Sequence, residues 1–319
     1  MIKILKKSGN TLIEIKNFEK GCWVNIYPPF SKENLEEIAQ IHDLPLDFLT
    51  DSLDRDEQSR FESEEETDLV VVNTPILNND LIDNEALYLT IPIGIVSKPE
   101  YIITICSYEN RVIDDFLLNK IKGFDPADQS LFTLQLFNRN VYYFQYYLRE
   151  INNKRFSFES EIYRSSRSKD LKRLLNLQKS LIYFVTNLRS NDLMMNKLRR
   201  TNFLKIREDE QKEDFLEDVV VDSGQAIEMA DIYTNILNGT MDSFASIISN
   251  NLGIVVQRLT AVTIVLMVPT LFASFYGMNI RLPLQEGYEH SYIPFIVIIA
   301  LSLVFSFVLG WFFMKKRWF

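Results

Sequence analysis

Two long apolar segments stand out in the pattern of hydrophobic and polar positions, and both lie in the C-terminal part of the sequence. The first, Leu259–Phe275, holds 17 residues without a charge. At about 1.5 Å per helical residue it extends roughly 25 Å, close to the hydrocarbon thickness of a bilayer. The second, Ile293–Met314, is also long enough to cross. The pattern therefore predicts two membrane-spanning helices.

Small and weakly polar residues recur along one face of the first span. They follow steps of three or four residues that average about 3.6, the period of an α-helix. This face, called the stripe below, consists of Leu259, Thr263, Met267, Thr270, Ser274 and Gly277. Hydroxyls gain nothing from contact with lipid, so the stripe is expected to pack against other helices or to line a wet path. On the stripe alone, both interpretations stay open.

The same helical period continues towards the N-terminus of the first span. The lower stripe consists of Val256, Leu252, Ser249, Ala245 and Asp242. No proline occurs between about Asp209 and Pro269, so one helix is predicted from there to Gly277. It would be roughly 100 Å long, too long to lie within one membrane. We therefore expect residues 209–279 to form a stalk that continues into the first span.

The sequence before this stalk divides into two regions with different hydrophobic patterns. Residues 1–124 read as an α/β domain, with strands expected at Gly21–Tyr27, Asp68–Thr74, Ala86–Ser97 and Tyr101–Cys106. Residues 125–208 show longer helical periods and predict two antiparallel helices, the second over Leu171–Leu188. The charge run at residues 54–68 is expected to be a solvated edge or loop.

Composition excludes several kinds of function. A net charge of −9 argues against nucleic acid as a partner. Cys22 and Cys106 form no CxxC pattern, and two histidines cannot build a zinc site, so any metal ligands are expected to be oxygens. No Gly-rich phosphate loop and no nucleophile–base constellation is visible. We therefore expect neither an enzyme nor an organic cofactor.

Charges beside the spans predict the topology. Lys315, Lys316 and Arg317 directly follow the second span, so its end is expected to be cytoplasmic, within a basic tail at residues 315–319. With spans at about 259–279 and 292–314, the chain would be a multi-pass protein of the inner or plasma membrane. Both of its termini would then lie in the cytoplasm. The start, MIKILKKSGN, lacks a secretory signal pattern. The loop 280–291 would face outward and carries Glu286 and Glu289.

The end of the first span carries a tetrapeptide, Tyr276, Gly277, Met278 and Asn279, directly before the short polar loop. YGMN at the end of the first of two closely spaced C-terminal spans resembles the signature of the CorA family of magnesium transporters. The resemblance implies a funnel-shaped homopentamer whose first span lines the pore, with YGMN as the selectivity filter. The resemblance rests on specific residues from about Asp209 onward. Before that residue it rests only on the general arrangement of the domains.

The resemblance also implies roles for single residues. Asn279 matches the motif asparagine, Thr270 and Met267 match pore positions, Leu259 matches the apolar constriction and Asp242 matches an acidic ring. Leu252, Val256, Thr263 and Ser274 complete the expected pore lining. Two departures occur: Gly253 stands where the family often has an asparagine, and Leu282-Pro283-Leu284 replaces the Met-Pro-Glu motif.

Acidic residues dominate the beginning of the stalk. Asp218 matches the family's stalk aspartate at an intersubunit regulatory site, and Asp222 lies one turn further. Asp80 and Asp83 are the expected partners from the N-terminal domain. Like charges in a symmetric ring repel unless cations lie between them, so bound cytoplasmic Mg²⁺ is expected to hold the ring closed.

Together these features predict a passive Mg²⁺ channel driven by the membrane potential, with Mg²⁺ as both the transported ion and the regulatory ligand. The expected partners are further copies of the chain, the lipid bilayer and divalent cations. One alternative is transport of Zn²⁺, Co²⁺ or Ni²⁺ by the same architecture. Another is a membrane-tethered sensor or scaffold without a pore.

Overall fold

The structure is a computed structural model, and it describes residues 2–9, 11–79, 86–165, 168–278 and 292–316. The chain divides into two compact units, Met1–Met241 and Asp242–Phe319. The first unit holds a β-sheet with helices on both faces. The second unit holds the two apolar helices that the sequence predicts.

Seven strands form one mixed sheet in the described part of the first unit. In chain order they are β1 Ile2–Ser8, β2 Thr11–Ile15, β3 Cys22–Ile26, β4 Arg60–Glu64, β5 Thr67–Leu77, β6 Tyr88–Ser97 and β7 Tyr101–Cys106. Their spatial order is β2-β1-β3-β7-β6-β5-β4. Neighbours pair antiparallel, except that β3 and β7 run parallel. The central strands β3, β6 and β7 are almost wholly buried because helices cover both faces.

Helices that follow β3 cover one face of the sheet. They are α1, Lys32–His42, and α2, Leu46–Thr50. Ser31 caps α1 by accepting a hydrogen bond from the Asn34 amide at 3.3 Å. Leu35 of α1 and Phe48 of α2 belong to the same buried core as Val24 and Ile103.

Helices that follow β7 cover the other face. They are α3, Arg111–Leu117, α4, Gln129–Ser165, and α5, Ser168–Thr201. Trp23 alternates with Val24 along β3 and therefore points to this opposite face. Its ring meets those of Phe116 and Phe132 at centroid distances of 6.3 and 5.3 Å.

Two further helices follow in the described part of the chain. The first, α6, extends over 67 residues as Glu210–Tyr276, and the second, α7, is Ile293–Lys315. An α/β domain followed by long helices and two apolar C-terminal helices is the predicted fold class, which is confirmed.

Some expected elements have other bounds. The four expected strands correspond to β3, β5, β6 and β7, whereas β1, β2 and β4 were not predicted. The charge run contains β4, an edge strand of which Phe61 packs on Phe203 with ring centroids 4.5 Å apart. Helix α5 continues to Thr201, beyond the expected end at Leu188.

Candidate functional site

Both apolar helices are long and apolar enough to cross a membrane. Only 6% of the apolar window in α6 and 11% of that in α7 is buried within the chain. A core helix of a soluble protein would be mostly buried. The exposed apolar surfaces of these two helices therefore need another apolar environment.

Helix α7 packs on one side of the apolar part of α6. Ala261 of α6 is fully buried, and Phe272 packs on Phe305 of α7 with ring centroids 5.8 Å apart. Pro269 lies inside α6 and has no N–H, so it cannot bond the carbonyl of Val265 one turn earlier. The Ser306 hydroxyl of α7 donates a hydrogen bond to that carbonyl at 3.3 Å. This contact was not predicted from the sequence, although a proline in an apolar helix signals an unpaired carbonyl four residues before it.

The stripe lies on the side of α6 away from α7. At about 100° per residue, Thr263, Thr270 and Ser274 lie roughly 140–180° round the helix from Val265. All three are exposed in the isolated chain. Leu259 and Met267 are 65% and 63% exposed. The structure therefore leaves the whole stripe available for a partner or a pathway.

The hydroxyls of the stripe are held in defined directions. Thr263 donates to the Leu259 carbonyl at 2.8 Å, and Thr270 donates to the Leu266 carbonyl at 3.3 Å. Because each hydroxyl proton is used within the helix, the oxygen lone pairs face outward as acceptors. Such oxygens suit contact with the water shell of a cation.

The lower stripe is also exposed in the isolated chain. Asp242, Leu252 and Val256 are exposed, the last two by 60% and 58%. Their spacing keeps them on the face that continues into the stripe.

The YGMN segment lies at the end of α6. Tyr276 is the last helical residue, and the Gly277 amide still donates to the Ala273 carbonyl at 3.0 Å. Met278 is 50% exposed. Asn279, together with Glu286 and Glu289 of the loop, lies outside the described residues.

The acidic residues of the predicted regulatory site are only partly described. Asp218 and Asp222 of α6 are both exposed, whereas Asp80 and Asp83 lie outside the described residues. Within the described part of a single chain, no three acidic, histidine or cysteine groups come together around a metal position. A site at Asp218 would therefore need further ligands, such as those of a second subunit.

Comparison with known proteins adds an independent line of evidence. The family model described as "CorA-like Mg2+ transporter protein" matches residues 18–317. The cobalt/magnesium transport protein CorA of Methanocaldococcus jannaschii is 24% identical over 308 residues, which cover 91% of this chain and 90% of that protein.

Solved structures show the same fold. The complete structure of the CorA magnesium transporter from M. jannaschii has a TM-score of 0.77 at 21% identity, and the match covers 100% of this chain and 99% of that one. The soluble domain of the same protein has a TM-score of 0.64 at 20% identity, covering 75% of this chain and 95% of that one.

Proposed function

The chain belongs to the family of CorA-like Mg²⁺ transporter proteins, and on that premise we propose that it forms an oligomeric Mg²⁺ channel in a cell membrane. The observation that carries the proposal is the position of the stripe on α6, opposite the face that α7 covers. Copies of α6 around a common axis would bury the stripe inward and leave α7 towards lipid. A pentamer is the proposed assembly.

The selectivity filter is proposed at Tyr276, Gly277, Met278 and Asn279. Mg²⁺ releases its water reluctantly and prefers oxygen ligands. A ring of Asn279 carboxamides would contact the hydrated ion without a negative charge that traps it. Gly277 would let backbone carbonyls approach the axis closely. Leu259 and Met267 are the proposed apolar constriction, which conducts only when wetted.

The proposed driving force is the membrane potential. A divalent ion gains about 4.6 kcal/mol at 100 mV, which corresponds to roughly a thousandfold accumulation inside. The proposed topology has residues 1–208 and the basic tail 315–319 in the cytoplasm, with loop 280–291, including Glu286 and Glu289, outside.

Intracellular Mg²⁺ is the proposed gating ligand. Asp218 and Asp222 would bind it between subunits, together with Asp80 and Asp83. Loss of the ion would let the carboxylates repel and the subunits separate. The two exposed aspartates on α6 support this assignment.

Thiol labelling tests the proposed pathway. Thr270→Cys on the stripe is matched by Leu271→Cys, one residue further and about 100° round the helix. A cationic thiol reagent is expected to block Mg²⁺ flux through the first variant and leave the second unaffected. Equal block of both would contradict a pathway along the stripe.

The native thiols should not interfere with this labelling. Cys22 and Cys106 are both buried. Burial raises the pKa of Cys106 to about 12, so little thiolate exists at neutral pH.

Competition experiments separate the proposal from its alternatives. Co²⁺, Ni²⁺ and Zn²⁺ added in excess show which ion the pathway prefers. A membrane-tethered scaffold predicts no flux of any of these ions.

A further inference from the structure

A cleft lies at the carboxyl ends of the two parallel strands of the sheet. After β3 the chain turns into α1 on one face, and after β7 it turns into α3 on the other face. Adjacent parallel strands whose connections leave to opposite faces form a topological switch point. In open α/β sheets, small ligands bind in the crevice outside the strand ends at this point.

The structure has an open cavity there, of about 1250 Å³. Pro28 and Pro29 follow β3, and Ser107 and Tyr108 follow β7, and all four line the cavity. The side wall is Ile182–Leu193 of α5, and β5 and β6 contribute aliphatic residues. The volume is enough for an organic molecule of several rings.

One guanidinium in this cleft has no carboxylate partner among the residues that the structure describes. Arg55 lies over the ring of Tyr108, with its Cζ 4.8 Å from the centroid. No carboxylate among the described residues lies within 4.0 Å of its nitrogens. By contrast, Arg189 of the same cleft donates to both carboxylate oxygens of Asp231 at 3.0 and 2.8 Å. Arg55 is therefore the group that is ready to bind an anion.

Acceptor groups lie in the same cleft. The hydroxyl oxygen of Ser107 is buried and has no hydrogen-bond partner among the described residues. The carboxylate of Glu57 accepts from Arg60 at 2.9 Å, whereas Asp56 and Glu109 are exposed. Carboxylates of this kind accept hydrogen bonds from ribose hydroxyls in nucleotide sites.

We propose that this switch-point cleft binds a nucleoside monophosphate. Its phosphate pairs with Arg55, its ribose hydroxyls donate to Asp56 or Glu109, and its base lies among the aromatic, prolyl and aliphatic side chains. A bare anion would leave the apolar walls and the carboxylates unused, and each further phosphate of a polyphosphate would add negative charge beside a single free guanidinium and the carboxylates of the cleft. The proposal does not depend on ion conduction.

Calorimetric titration of the purified full-length protein with AMP tests the proposal. Saturable binding is expected, and Arg55→Ala should weaken it by about tenfold or more because the phosphate loses its charged partner. Arg149→Ala, which removes an exposed arginine outside the cleft, should leave affinity unchanged. Thr186→Trp should reduce affinity by filling the cleft while all charges stay in place.

Two further titrations distinguish the parts of the ligand. Adenosine and inorganic phosphate should each bind at least about tenfold more weakly than AMP. Phosphate that binds as tightly as AMP would overturn the nucleoside assignment, and adenosine that does so would overturn the role of Arg55. Absence of saturable binding up to about 1 mM AMP, or equal loss in the Arg55 and Arg149 variants, would overturn the site itself.

Discussion

A single hydroxyl compensates for the proline inside the first span. Pro269 leaves the Val265 carbonyl without its helical donor, and Ser306 of α7 supplies one. In a bilayer no water replaces such a bond, so the contact also fixes how α7 packs on α6.

We predict that Ser306→Ala lowers the free energy of unfolding of the membrane domain by about 1 kcal/mol, the scale of an interhelical hydrogen bond in lipid. Thermal denaturation in detergent measures the change. Ser302→Ala is the matched control, since that buried hydroxyl donates within α7 to the Ile299 carbonyl at 2.9 Å. Equal destabilisation by both substitutions would show that the interhelical bond has no special role.

Asp115 shows a second residue-scale effect that the sequence does not reveal. It lies in the short helix α3 and is 1% exposed. Burial alone would raise its pKa, but hydrogen bonds from Tyr143, Lys120 and Arg139 outweigh burial and lower the pKa. A lowered pKa stabilises the fold above the unfolded value of about 3.9, and this contribution is lost as pH falls further.

We predict that Asp115→Asn costs about 2 kcal/mol at pH 7. This is less than the 3–5 kcal/mol typical of broken buried pairs, because Arg139 and Lys120 reach solvent. Chemical denaturation followed by circular dichroism should show the difference shrinking below about pH 4. The neighbouring Asp114 keeps contact with solvent, and its pKa is raised by partial desolvation and by the charges of Glu109 and Asp115, so Asp114→Asn should cause no loss of stability. A pH-independent difference for Asp115→Asn would contradict this account.

At the scale of elements, periodicity located the long helix well. The predicted helix from about Asp209 to Gly277 is observed as Glu210–Tyr276. The side of α6 that α7 covers could not be predicted from the sequence. Both sides of the helix are apolar enough to pack against another helix, and only tertiary packing selects one of them. Strand β4 was missed because glutamates interrupt its alternation, as is common at exposed sheet edges. Strand β1 lies inside the sheet, between β2 and β3, and was missed because the consecutive Lys6 and Lys7 break its alternation.

The proposed apolar constriction on α6 gives a testable prediction at the scale of elements. Leu259→Thr places a hydroxyl on the stripe and should raise Mg²⁺ leak at high internal Mg²⁺, because a polar ring wets more readily. Leu271→Thr makes the same change on another exposed side of the helix, about 120° away. Liposome flux assays compare the two. A leak that increases equally in both variants would exclude a constriction at Leu259.

At the scale of the whole molecule, the proposed gating by Mg²⁺ would depend on contacts between subunits. We predict that Asp218→Ala and Asp218→Lys shift the internal Mg²⁺ concentration that closes the channel, because the proposed regulatory site would lose a carboxylate. Glu213→Ala removes the same charge roughly 140° round α6 and should change little. Unchanged Mg²⁺ dependence in both Asp218 variants would refute this site.

Mg²⁺ uptake into proteoliposomes under an imposed negative-inside potential tests the central claim most directly. The account predicts uptake without ATP that grows with the potential and is lost, or loses its preference for Mg²⁺, in Asn279→Ala. No uptake by the unmodified protein, or uptake with the same rate and ion preference in Asn279→Ala, would contradict it.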